Sequence, residues 1–266
     1  MKKEDLLKLA EDDRFISGIY NYCDRWCERC PFTSRCMNFA MGKNASPDRE
    51  EHDSRNEAFW KDLTETFEAT RELLKDLADR EGIDLETLDV DGQAKEDALD
   101  EELARNHKCC RMATTYSKMV SKWFDAVEAF SEEEEDPPVA GPVQELSAED
   151  PLGLKASCHE ALEVVRWYQH QIYIKLMRAV RGTLREADEV FDGFAKDSDG
   201  SAKVALIGIE RSIGAWGELR PFFVTHDAEI RDILIHLEGL RRQVEQTFPA
   251  ARDFIRPGFD SVELNG

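Results

Sequence analysis

The sequence predicts an all-α fold, a multi-helix bundle with an N-terminal four-cysteine helix–turn segment that binds a metal ion or a cluster. Apolar residues recur at three- and four-residue steps along most of the chain, and no stretch alternates as a strand does. The 266 residues are 41% hydrophobic and 34% charged, which is typical of a globular protein long enough to bury a core. Four of the seven cysteines lie between positions 23 and 36, closer together than core filling requires.

The first predicted elements are a short helix, a longer helix and a turn. The short helix lies around Leu6. The longer one begins at an aspartate cap at position 12 or 13 and ends at Pro31, whose ring cannot continue a helix. A short turn then starts at Thr33 or at the serine after it. Residues 42–53 are expected to form a loop, because glycine, proline, asparagine and aspartate are concentrated there.

Two long helices are predicted next. The first is amphipathic, and Gly82 lies just past its end. Its apolar residues are Trp60, Leu63, Phe67, Leu74 and Leu77. Residues 83–96 are interpreted as an acidic loop, and the second helix continues from there to about Phe130. Its apolar stripe has nearly a heptad spacing and consists of Cys109, Ala113, Tyr116, Val120, Trp123, Val127 and Phe130.

Residues 131–150 are predicted to be a linker, since four consecutive glutamates and a proline-rich stretch cannot bury a face. The chain then divides into an N-terminal helical part, residues 1–130, and a C-terminal helical bundle, residues 151–266. Three helices are predicted in the bundle, over Leu154–Phe191, Ser201–Leu219 and Asp227–Phe248. The short loops between them indicate antiparallel neighbours.

Charge and cysteine content limit the partners and the compartment. The formal net charge of −21 disfavours nucleic acid and anionic membranes, both of which are bound mainly through lysine and arginine. No apolar run is long enough to cross a membrane. The acidic N-terminus is unlike a signal peptide, and seven cysteines is an odd number, so a reducing cytoplasm is expected. The sequence leaves open the possibility of a protein partner or of a homo-oligomer.

The four cysteines predict a metal centre at Cys23, Cys27, Cys30 and Cys36. On a helix, the first three would share one face, and a turn at Pro31 would bring the fourth back to them. Four converging thiolates repel one another unless a cation binds them. Structural zinc usually takes two ligand pairs from separated knuckles, whereas a single short segment is typical of iron–sulfur ligands. The spacing therefore favours a 4Fe–4S cluster over zinc.

The string from Cys27 to Cys36, CERCPFTSRC, resembles the cluster loop of the endonuclease III and adenine-glycosylase families, with its C-x2-C-x5-C spacing and a proline after the middle ligand. This resemblance implies a 4Fe–4S cluster held by these two cysteines together with Cys23 and Cys30. The helix-hairpin-helix and the catalytic Lys/Asp pattern of those families are not visible, so their activity is not implied. The first three cysteines also match the spacing of radical-SAM enzymes, but the chain lacks their alternating strands and helices.

A second possible metal site lies in the C-terminal helices, at Glu163, His170, Glu210 and His236. Carboxylates and imidazoles that point into a helical bundle form the sites of di-iron proteins, although no Glu-x-x-His pair occurs in these helices. The same side chains are also explained as boundary residues that pair with nearby arginines. The sequence names no reaction. It predicts a metal-binding protein with a structural or redox-sensing centre, and it leaves open a bundle-type metalloenzyme or an acidic protein-interaction module with structural zinc.

Overall fold

A computed structural model describes residues 3–45, 57–132, 154–186 and 196–260 of the chain. These residues form helices and turns and include no strand, so the all-α prediction is confirmed for them. The helices are α1 (Lys3–Ala10), α2 (Met37–Ala45), α3 (Glu57–Glu81), α4 (Val90–Asn106), α5 (Lys108–Glu132), α6 (Leu154–Glu186), α7 (Asp197–Leu219) and α8 (Asp227–Thr247). Along the described helices, no stretch combines the length and the apolarity that a membrane crossing needs.

The chain divides into two compact units. One contains Met1–Glu96 together with Ile255–Gly266, and the other contains Asp97–Phe254. The second unit therefore combines α5 with the three helices of the predicted C-terminal bundle. Within the predicted linker, residues 131 and 132 end α5 and the others lie outside the described residues, so the linker stays a prediction.

The core of the second unit is built on α5, α6, α7 and α8. The heptad-like stripe predicted for α5 is buried from Cys109 to Trp123, and α7 packs against both α6 and α8. Trp123 lies at an aromatic centre, with its ring edge-to-face against Trp216 and Phe223, each 4.9 Å away between ring centroids. Such offset aromatic contacts add to the free energy gained by burial. The Trp216 indole N–H donates to the Tyr116 hydroxyl at 3.3 Å, which satisfies a buried donor.

The loop predicted at residues 83–96 is only partly confirmed, because α4 begins at Val90. Asp89 caps this helix: its Oδ1 accepts from the amide of Gly92 at 2.8 Å. The break between α4 and α5 falls at His107, whose Nδ1 accepts from the amide of Cys109 at 3.2 Å. Asp89 thus marks the start of α4, and the cap at His107 divides the predicted long helix into α4 and α5.

In the first unit, α1 packs against α3, and Lys3 forms an ion pair with Asp76. Small residues of α3, Ala69 and Ala78, are buried. The helix itself is where the sequence predicts it, but most of its predicted apolar stripe faces outwards. The exposed fractions are 53% for Trp60, 66% for Phe67, 59% for Leu74 and 53% for Leu77.

Candidate metal centre

The cysteine segment is not helical, so the helix predicted from position 12 or 13 to Pro31 is wrong. Short 3-10 turns occur instead at Ile19–Asn21, Cys27–Arg29 and Thr33–Arg35, the last of them where a turn is predicted. Gly18 and Arg25 have φ values of 71° and 61°. Both lie in the left-handed region, where the chain cannot continue a right-handed helix.

Aspartate side chains supply the hydrogen bonds that compete with a helix in this segment. An Asp12 carboxylate oxygen accepts from the amide of Arg14 at 3.0 Å, and Asp24 accepts from the amide of Trp26 at 3.2 Å. Contacts of this kind, two residues along the chain, form Asx turns and stabilise non-helical backbone. Asp12, one of the two aspartates that the sequence suggests as a helix cap, therefore closes a local turn instead.

The four cysteines nevertheless share one cavity. Cys23, Cys27, Cys30 and Cys36 all line a space of about 20 Å³, which is room for about one water-sized sphere. Each of the four is partly exposed, and none forms a disulfide. The loop is closed at its base, because the amide of Ile16 donates to the carbonyl of Arg35 at 3.0 Å. The four cysteines that line this cavity therefore come from separate turns and not from one face of a helix.

Electrostatics in the cavity oppose thiolate formation. Burial raises the pKa of Cys27, and the charges of Cys23, Cys30 and Cys36 raise it further. Burial also raises the pKa of Cys30, and Cys23 and Cys36 add to the effect. One thiol therefore feels the charge of the others, and four thiolates would need a cation beside them.

A positive group is held at the edge of this segment. The Arg29 guanidinium lies over the ring of Trp26, 4.1 Å from its centroid, and Trp26 itself lines the cavity. A cation–π contact of this kind contributes about 0.5–1 kcal/mol at an exposed site. Positive charge near the loop would partly offset an anionic thiolate centre.

The remaining walls of the cavity are mainly aromatic and aliphatic, with Asp24, Arg25 and Thr33 also among them, and they include a residue that sequence analysis missed. Ile19, Tyr20, Phe32 and Phe39 come from the cysteine segment and α2, whereas Phe259 comes from the other end of the chain. Its ring meets Phe32 edge-to-face with 5.1 Å between centroids. The only local signal for this position is the Pro-Gly turn that precedes it. No short-range pattern links it to the cysteines.

The described side chains around the cavity are not arranged as the ligands of a metal ion. Within the part of the chain that the structure describes, no group of three or more His, Cys, Asp or Glu side chains is arranged to hold a metal ion. The cavity has the volume of about one small ion, whereas a four-iron cluster needs more room than it offers. The ligand set at the four cysteines therefore stays a prediction, with a shared cavity as its geometric basis.

The carboxylates of the predicted second site have separate partners. A Glu163 carboxylate oxygen lies 3.4 Å from Nε2 of His159, one turn earlier on α6. Glu210 on α7 forms an ion pair with Arg252 at 2.7 Å. Both pairs are at least partly exposed, so they contribute little to stability.

The two histidines of that site also bond elsewhere. His170 Nδ1 lies 3.1 Å from the Ser117 hydroxyl, and His236 Nε2 donates to the carbonyl of Met112 at 2.8 Å. The proton on that nitrogen leaves only Nδ1 of His236 able to act as a ligand in the neutral ring. The structure does not bring these two histidines and the two glutamates together as a group.

The other three cysteines are separate from the cavity and buried. Burial raises the pKa of Cys110 to about 12, and it also raises the pKa of Cys109 and of Cys158. Protonated, buried thiols react slowly. In the folded protein, thiol reactivity should therefore report on the four partly exposed cysteines of the cavity.

Compared with protein-family models, with curated proteins and with solved structures, the chain gives no match in any of the three.

Proposed function

We propose that this is a metal-binding helical protein whose centre is held by Cys23, Cys27, Cys30 and Cys36, with a structural or redox-sensing role. The observation that carries the proposal is the shared cavity: four thiols from one short segment line the same small space. Four thiolates are a complete ligand set for either a 4Fe–4S cluster or a zinc ion.

A 4Fe–4S cluster is our first choice because all four ligands lie in one short segment, as is typical of iron–sulfur sites. Such a centre supplies a covalent cross-link between the turns and the capacity to accept or release one electron. Structural zinc is the second choice, and the small volume of the cavity favours it. In either case the aromatic wall, with Phe32 and Phe259 in edge-to-face contact, would limit the access of water to the sulfur atoms.

Metal analysis tests the proposal and separates the two ions. The protein is purified without oxygen, its absorption spectrum is recorded, and iron and zinc are measured per chain. About four irons with a brown colour indicate the cluster, and about one zinc without colour indicates the structural site. The proposal is refuted if the protein, with its thiols fully reduced and after an attempt to load each metal, binds neither iron nor zinc.

Cys30→Ala is the matching variant, and Cys158→Ala is its control. Metal binding is coupled to folding, so losing one ligand should lower the unfolding free energy by roughly several kcal/mol and empty the site. Cys158 is buried in the second unit and is not among the residues that line the cavity, so its replacement should leave the metal content unchanged. If Cys30→Ala leaves both metal content and melting temperature unchanged, the ligand assignment is wrong.

A second candidate function is that of an acidic protein-interaction module, and a specific surface favours it. Residues 81–91 contain five carboxylates and no lysine or arginine. Exposed aliphatic side chains lie among them: Ile83, Leu85, Leu88 and Val90, which are 43–68% exposed. An apolar surface with an acidic border is complementary to a cationic amphipathic helix of a partner protein.

An amphipathic lysine–leucine helical peptide is a direct probe of this acidic surface. Its affinity is compared with that of a scrambled peptide of the same composition, because a protein of net charge −21 attracts any cation. We expect the amphipathic peptide to bind about tenfold more tightly, and Leu85→Ser/Leu88→Ser to remove that advantage. Equal affinities for the two peptides, or self-association of the protein without peptide, would exclude a cationic amphipathic helix as the partner of this surface.

A further inference from the structure

We propose that the C-terminal residues 255–260, here called the C-terminal cover, form one wall of the cysteine cavity and limit how fast reagents, chelators and oxidants reach the four thiols. The part of this inference that concerns a bound metal rests on the proposed function above. The part that concerns the thiols does not, since it follows from the packing around the cavity alone.

Phe259 is the occluding side chain. It lines the cavity together with the four cysteines, although it lies more than two hundred residues away from them in sequence. Its ring packs edge-to-face on Phe32, at 5.1 Å and with 79° between the ring planes. Removing the ring would open this wall, because neighbouring aromatic side chains refill such a gap only in part.

The cover is fixed in shape by its own polar contacts. The Asp260 carboxylate accepts from the Arg256 guanidinium, through Nη2 at 2.8 Å and Nε at 3.0 Å, and from the Arg256 amide at 3.0 Å. The amide of Asp260 donates to the carbonyl of Arg256 at 3.0 Å. The same guanidinium lies over the Phe259 ring, 4.9 Å from its centroid, in a cation–π contact.

Gly258 sets how closely the cover approaches the cysteine segment. Its φ is +77°, and a Cβ atom at this position would lie 2.9 Å from the Cδ1 atoms of both Ile16 and Ile19. A side chain here would thus meet both a strained backbone and a wall of the neighbouring segment. Glycine permits the chain to turn directly against the cysteine segment and to deliver Phe259 to the cavity.

The cover is held by a ring pair with Phe32, a cation–π contact and the bonds between Arg256 and Asp260. A segment held in this way can open at a much lower free energy than the whole unit needs to unfold. Opening of the cover would then increase access to the partly exposed thiols and speed both their modification and the release of a bound metal. The cover therefore couples the stability of the centre to residues 255–260.

The test compares Phe259→Ala with Ile255→Ala in the full chain. Ile255 belongs to the same segment but is 62% exposed and is not among the residues that line the cavity. In metal-free, reduced protein, we expect Phe259→Ala to raise the rate of thiol modification by an aromatic disulfide reagent about tenfold. Ile255→Ala should leave that rate within about twofold of the native value. In metal-loaded protein, the rate of transfer to a chelator should change in the same way.

Asp260→Asn provides a second route, because it weakens the Arg256 contacts without removing the ring. It should raise the modification rate in the same direction as Phe259→Ala but by less, while far-UV circular dichroism stays native. Equal rates of thiol modification for Phe259→Ala, Ile255→Ala and the native protein would overturn the proposal that the C-terminal cover limits access. A native protein that binds no metal would refute the proposed function but would leave the thiol-access result valid, so the two failures are distinguishable.

Discussion

The close approach of α6 and α7 can be tested with one methyl group. Gly208 on α7 faces Tyr168 and Ile172 of α6. An added Cβ would lie 2.9 Å from Cδ1 of Tyr168 and 3.2 Å from Cγ1 of Ile172. Both neighbours are about 1% exposed, so neither can turn away into solvent. Gly208→Ala is therefore an overpacking substitution inside the core.

Two opposing effects determine its magnitude. Replacing glycine by alanine in a helix interior stabilises by about 1 kcal/mol, and overpacking a tight core costs about 1–3 kcal/mol. Gly214 is the matched control on the same helix: it is exposed, and nothing lies within 4 Å of its added Cβ. Gly214→Ala should raise the unfolding free energy by about 1 kcal/mol. The difference between the two variants then isolates the steric cost, which we expect to be about 2 kcal/mol.

Urea unfolding followed by circular dichroism measures this difference directly. The midpoint should shift while the slope of the transition stays the same, because neither change alters the surface exposed on unfolding. In thermal unfolding, about 2 kcal/mol corresponds to roughly 4–8 °C between the two variants. If Gly208→Ala proves as stable as Gly214→Ala, the helices are not as close as the structure has them.

Two further predictions concern single polar groups. Burial lowers the pKa of His107 from 6.5, so the unfolded chain takes up a proton first; the unfolding free energy should fall as the pH drops below about 6.5. Protonation would also end the bond that His107 Nδ1 accepts from the amide of Cys109. His107→Asn keeps a hydrogen-bond acceptor but does not titrate in this range, so it should reduce the pH dependence of the urea midpoint between pH 7.5 and 5.5. If the pH dependence is unchanged in this variant, groups other than His107 cause it. Tyr116→Phe leaves the Trp216 indole N–H without its acceptor and should cost about 1–3 kcal/mol at constant slope; an unchanged midpoint would contradict that role.

Much of the helical architecture was predictable because helix periodicity is a local signal. The stripe from Cys109 to Trp123 has the spacing that buries one face, and its described residues are buried in the structure. The two helices at Asp197–Leu219 and Asp227–Thr247 end within one residue of their predicted ends and begin at or near their predicted starts. In these cases the apolar pattern and the burial agree.

The cysteine segment was predictable in composition but not in backbone. Its apolar residues have a helical spacing, yet Gly18 and Arg25 adopt positive φ values and Asp24 closes an Asx turn. Local side-chain bonds and left-handed residues can outweigh periodicity in a short segment, because a helix of this length gains little by itself. The prediction that four thiols come together still rests on the short distance between them in sequence.

By itself, the sequence determined most of the long helices, and it identified the four cysteines as the candidate centre, because both signals come from residues that are close together in sequence. Tertiary structure alone decided that the stripe of Phe67 and Leu74 faces outwards and that Phe259 lines the cysteine cavity. The physical reason is that burial depends on what packs against a face. The residue that covers a cavity can come from the far end of the chain, where no local pattern records its neighbour.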